Sequence, residues 1–297
     1  MSMQKTHTAT TPRATPAPAA SLRPGRIARA AAIYAALILL AIVFMIPLFW
    51  MLSTALKSRF EVFAYPPEVI PSNIQWKNFS DIFTRVPLGR YMLNTALLVV
   101  ANIVGQLVAV PLVAYSFARL RFPGRDTIFF IVIATMMVPA QVTLIPLYSL
   151  YQRIGMVNTY WPLILPSFFG SPFFIFLMRQ YIKSLPRDLD DAARIDGAGT
   201  WGILYRIILP LCVAPLTIIM VYQFLWTWND FLHPLIYIGN TDMYTLQLGL
   251  SMFRGRFTVE WHLLMAAALV SVLPQLVVYF FAQRKLIGGI ASVGLKG

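Results

Sequence analysis

The chain has 297 residues, 58% of them hydrophobic and only 12% charged, with a mean hydropathy of +0.68. A soluble domain carries about 25% charged residues, so a soluble fold is excluded. The net charge of +13 is assigned to basic loops beside a membrane rather than to nucleic acid. A single cysteine, Cys212, rules out an intramolecular disulfide and a paired-thiol metal site, and neither metal nor cofactor is expected.

Residues 1–28 are rich in Thr, Pro and Ala with scattered basic groups, which predicts a disordered tail. Six stretches then lack Asp, Glu, Lys and Arg: 30–56, 91–118, 127–152, 154–178, 207–229 and 261–283. Each can cross a bilayer core, which takes about 20 apolar residues. The first is too long for the apolar region of a signal peptide and is read as a retained span. The fold class is therefore all-α and integral to a membrane, with one transmembrane domain over 29–297. A short helix is expected near 76–85 in the long 57–90 loop, and a tight hairpin at 151–160, where Gly155 and Asn158 sit. "TMMVPAQVTLIPLY" (135–148) has two prolines and predicts a bend.

Placing both termini in the cytoplasm puts sixteen of the 24 basic residues inside, a positive-inside pattern. The 188–196 segment then also faces the cytoplasm. It holds four aspartates within nine residues of a chain that is only 12% charged. "SLPRDLDDAARIDG" (184–197) reads as one short helix. Ser184 would cap it and Pro186 fits the first turn. Asp188, Asp190 and Asp191 suit the positive end of the dipole, and Gly197 suits a left-handed stop. Its acidic, alanine-rich surface fits anionic lipid poorly and a protein partner better.

"DDAARIDGAGTWGILYRIILPL" (190–211) resembles the EAA loop of importer-type ABC transporter permeases. The spacing runs from Asp191-Ala192-Ala193 through Gly197 to Ile207-Ile208-Leu209-Pro210, with Asp191 where the family usually has Glu. "FLWTWNDFLHPLIYI" (224–238), "ARLRFPGRD" (118–126) and the 261–297 tail ending in "GLKG" are similar to the carbohydrate-uptake branch, closest to its maltose-type second permease. The resemblance implies the type I importer fold and an inner-membrane location. It also implies a heterodimeric pore with a second permease, two ATP-binding subunits and an extracytoplasmic solute-binding protein. The loop 184–210 would couple to the ATPase through Asp191, Ala192, Ala193, Arg194, Asp196 and Gly197. ATP hydrolysis would belong to the partner, since the chain has no phosphate loop.

Polar side chains inside apolar spans are candidates for a solute path: Asn102, Gln106, Gln141, Gln223, Trp226 and Asn229. Asp230 is expected near the external boundary, about 30 Å along the fifth helix from Leu209 at 1.5 Å per residue. A membrane enzyme is disfavoured, because Ser251 and His262 lie in no nucleophile motif. A secondary transporter would want buried coupling charges, which the spans lack. A permease for a non-sugar solute is the remaining alternative.

Overall fold

A computed structural model describes residues 24–255 and 259–294, with side chains from residue 28 to 283. Among these residues the chain is helical, with one isolated bridge between Arg254 and Val259. Residues 24–49 form one body, the greater part of helix α1 (Pro24–Ala55), with Pro47 inside it. The expected tail lies outside the described residues up to residue 23. From Pro24 onward it is helical, because proline's fixed φ suits a first turn.

Residues 50–294 form the second body. Helix α2 (Asn78–Arg85) lies where the sequence places it. Asn78 donates from Nδ2 to the carbonyls of Ala55 and Lys57, at 2.8 and 2.9 Å. These are carbonyls a helix end leaves without partners, so α2 caps the end of α1. Lys57 is buried, its ammonium 5.0 Å from the centre of the Trp50 ring and bonded to the Glu68 carbonyl.

The long α3 (Leu88–Arg119) is the central span; α7, α11 and the 165–169 turn all pack along it. The third span is broken. Helix α4 (Arg125–Ala134) passes through a 3-10 turn (Thr135–Met137) into α5 (Ala140–Arg153), at an angle of 99°. The break falls at Pro139, as "TMMVPAQ" predicts. Val138 before it is extended, the conformation proline imposes on its predecessor. In the following hairpin Gly155 and Asn158 take positive φ, and the Asn158 side chain accepts from the amides of Gly239 and Asn240.

The fourth span is α6 (Trp161–Ile164), a 3-10 segment (Leu165–Phe169) and α7 (Pro172–Ser184). It lies further along the chain than the uncharged stretch 154–178. The reason is Arg179, which is buried inside it. Its guanidinium lies 3.9 Å from the centre of the Phe129 ring and 3.5 Å from Asp126. After α8 (Asp188–Ile195) comes α9 (Thr200–Gly202), a π-helical turn (Ile203–Ile208) and α10 (Leu209–Leu211). Helix α11 (Val213–Asn229) then departs at 77°. The fifth span expected over 207–229 is thus bent at Cys212. Pro215 supplies no amide to the Leu211 carbonyl, and the Tyr181 hydroxyl donates to it instead, at 3.2 Å. Helices α12 (Leu232–Tyr237) and α13 (Leu246–Ser251) lead to α14 (Trp261–Gly294). "GLKG" lies outside the described residues beyond Gly294.

Two sets of contacts mark the two ends of α3. At its start Arg90 pairs with Asp242 at 2.7 Å, Asn94 donates to the carbonyls of Asp242 and Tyr244, and Thr95 accepts from the Leu246 amide. At its end Arg119 meets α8.

Candidate functional site: an acidic end-helix and a polar cleft

Helix α8 begins at Asp188, not at Ser184. Ser184 closes α7, its hydroxyl bonded back to Tyr181. Leu185 is extended before Pro186, so the two helices cannot be continuous. Three aspartates occupy the first turn of α8 and Arg194 its last, matching the dipole. The stop is a Schellman motif. The Ala198 amide bonds the Ala193 carbonyl at 2.9 Å and the Gly197 amide bonds the Arg194 carbonyl at 3.0 Å. Gly197 sits at φ +83°, where a Cβ is disfavoured.

The residues expected to act together divide by face. Asp191, Ala192, Arg194, Asp196 and Gly197 are exposed; Ala193 is buried in one apolar cluster with Tyr115 and Ala118 of α3 and Ile203. Ala193 therefore seats α8 on its own bundle, where its small size permits close approach. The exposed face gains Ile195, 88% accessible, and beyond it the stacked pair Trp201 and Tyr205. Asp191 and Arg194 pair across one turn at 3.1 Å in open solvent, a contact of about 0.3–0.5 kcal/mol.

The fastening that sequence reasoning did not single out is Arg119–Asp190. Nε lies 3.1 Å from Oδ2, and both side chains are 4% accessible. The approach is too bent for a hydrogen bond, so charge holds the pair. The same guanidinium donates to the Leu185 carbonyl at 3.0 Å. Nothing in the local pattern separates Asp190 from Asp188 or Asp191. The available signal is helical phase: Asp190 and Ala193 share one face at a spacing of three. Arg125 donates to both carboxylate oxygens of Asp126, at 3.1 and 3.0 Å.

The second feature is a cleft of about 400 Å³ between α3, the 162–167 segment and the α11–α12 junction. Three of the six predicted path residues line it: Asn102, Gln223 and Trp226. Asn102 donates to the Leu98 carbonyl and accepts from the Ser167 hydroxyl. Gln223 bonds Thr227 at 2.9 Å. Trp226 stacks on Phe174 at 5.0 Å yet stays 49% accessible. The other three lie elsewhere. Gln106 is buried and accepts from the Ser171 amide, fastening the start of α7. Asn229 faces α14 through Gln275 at 3.1 Å. Gln141 is exposed on α5 and does not line the cleft.

The cleft also contains Asp230 and His233. Asp230 ends α11 with extended backbone, and its carboxylate accepts from the His233 amide and meets the imidazole Nδ1 at 2.9 Å. This contact raises the His233 pKa above its ordinary value. The imidazolium of the pair is therefore kept as pH rises until pH passes through that raised value, where the charged pair is lost. Gly105 sets the wall position. A Cβ there would stand 2.9 Å from the Phe168 ring and 3.0 Å from the Ser167 carbonyl carbon. Gly105→Ala is expected to destabilise the bundle by about 1–3 kcal/mol. A lowered thermal midpoint in detergent checks this; an unchanged midpoint means the wall yields freely.

Apolar spans enclosing a polar cleft, with a short helix presented at one end, define an integral-membrane transport permease. Residues 101–290 match the family described as "Binding-protein-dependent transport system inner membrane component", and the chain belongs to it. It is 31% identical over 266 residues to the diacetylchitobiose uptake system permease protein NgcG of Streptomyces coelicolor, covering 89% of this chain and 88% of that one. It is 34% identical over 228 residues to the arabinooligosaccharides transport system permease protein AraQ of Halalkalibacterium halodurans, covering 76% and 81%. A solved chain of a bacterial ABC transporter that imports the acidic polysaccharide alginate shares the fold. Its TM-score is 0.76 at 21% identity, over 90% of this chain and 99% of that one. The six-span expectation therefore stands as the permease fold of ABC importers, with the third and fifth spans bent.

Proposed function

We propose that this chain is one of two different permeases in a sugar-importing ABC transporter. Its termini and α8 would face the cytoplasm. ATP-binding subunits would hydrolyse ATP there, and an extracytoplasmic binding protein would deliver an oligosaccharide or sugar derivative. The observation that carries this is α8: a capped helix, exposed on one face and fixed to α3 by a buried ion pair. The relatives' sugar substrates support the solute class. Asp191, Ala192, Arg194, Asp196 and Gly197 would meet the ATPase, while Ala193 would hold α8 in place.

The test is purification from native membrane in mild detergent, with mass spectrometry of what co-elutes, alongside sugar uptake in a strain lacking the chain. Recovery of a second permease and a phosphate-loop protein, with loss of uptake of one sugar, is the expected result. A chain that elutes alone, with all sugar uptake intact, would overturn the reading.

A further inference from the structure

The cleft carries a chemistry the sugar-import reading does not itself assign, and the inference rests on that reading. Three features meet there. A carboxylate, Asp230, has its side chain 28% accessible and is paired with an imidazole that is 50% accessible. Uncharged donors and acceptors, Asn102, Ser167 and Gln223, also line the cleft. An indole, Trp226, stays half open although it stacks on Phe174. Among the described residues, no lysine or arginine lines the cleft.

A carboxylate has about four lone-pair sites. The His233 amide and ring use some of those on Asp230 and leave others for hydroxyl donors. Adjacent hydroxyls of a sugar ring can donate to one carboxylate together, and the other ring nitrogen of the imidazole beside it can hydrogen-bond a further hydroxyl. The C–H face of a pyranose fits an aromatic plane. An anionic sugar would meet Asp230 with no guanidinium to receive it, and like charges brought together cost affinity. We infer that Asp230 and His233 form a carbohydrate subsite in this chain's own cleft, taking neighbouring hydroxyls of a neutral sugar and disfavouring acidic ones.

The competing role for Asp230 is structural: its carboxylate accepts the His233 amide in the first turn of α12. Asn caps a helix start as well as Asp does, so Asp230→Asn separates the two roles. The assay is uptake by the complete transporter in cells. The neutral probes are radiolabelled diacetylchitobiose, maltose and arabinobiose; the acidic probe is a digalacturonate. If none of the neutral probes enters in a manner dependent on this chain, the proposed function fails first and the subsite with it. With a transported neutral probe in hand, Asp230→Asn is expected to cut uptake at least tenfold. Stimulation of ATP hydrolysis by the loaded binding protein should persist. His233→Gln, which leaves the carboxylate and its cap in place, is expected to cut uptake at least fivefold and serves if the first variant fails to assemble. Uptake within twofold of the parent chain in either assembled variant, or digalacturonate entering as well as the neutral probe, overturns the subsite.

Discussion

Asp190→Ala is expected to reduce uptake by at least tenfold while the chain still reaches the membrane. Its carboxylate and the Arg119 guanidinium are both 4% accessible. Deleting one member of a buried pair strands the other, at about 3–5 kcal/mol. That penalty exceeds what an eight-residue helix can offset by its own propensity, since isolated helices shorter than about 12–15 residues are marginal. Helix α8 would loosen from α3 while the bundle remained folded. Arg119→Ala should do the same, and the double variant should recover part of the loss, because it leaves no lone buried charge. ATP hydrolysis by the assembled transporter should become less dependent on loaded binding protein. Asp191→Ala is the contrast: it breaks an exposed pair and should leave thermal stability unchanged. Full uptake by Asp190→Ala would show that α8 is held by other contacts.

Gly197→Trp is the second large effect: uptake should be abolished with insertion and thermal stability close to normal. Among the described residues, a Cβ at Gly197 would meet nothing within 4 Å. The cost to its own fold is then the left-handed φ alone, about 1–2 kcal/mol. Bulk at this point obstructs only something docking on α8. Gly197→Ala pays the same backbone cost with little bulk, so it should keep a substantial part of the uptake. Normal transport by the Trp variant would remove α8 from the coupling role. Loss of transport by Ala and Trp alike would place the effect in the backbone instead.

Much of this architecture is written in the one-dimensional pattern, because membrane spans are defined by what they omit. Gaps between charges overlap every span, and the proline bend at 139 was legible because proline acts on its own neighbours. Tertiary contacts hid the rest. Arg179 looked like a boundary and proved to be interior, since Phe129 and Asp126 receive it. The 77° turn at Cys212 depends on Tyr181, thirty residues away, accepting responsibility for a freed carbonyl. In the acidic run, composition marked the helix but could not say which aspartate turns inward. In the cleft, amide side chains were found by their rarity in apolar helices. That rarity does not distinguish Asn102, which borders the cleft, from Gln106, which fastens the backbone of Ser171. His233 escaped notice because it lies past the end of a span, where polar residues are ordinary.

Helix α3 carries Arg119 near one end and Asn102 seventeen residues earlier, about 26 Å away along the axis at 1.5 Å per residue. The member that grips α8 and the member that walls the cleft are thus one rod. A tilt of about 5° about its Arg119 end would carry Asn102 through about 2 Å, close to the width of a hydroxyl group. Pro111 lies between them and denies the Leu107 carbonyl its usual amide, which fixes where the rod yields. In the proposed cycle the motor's stroke reaches the solute through a lever, with its flexure point built into the same helix.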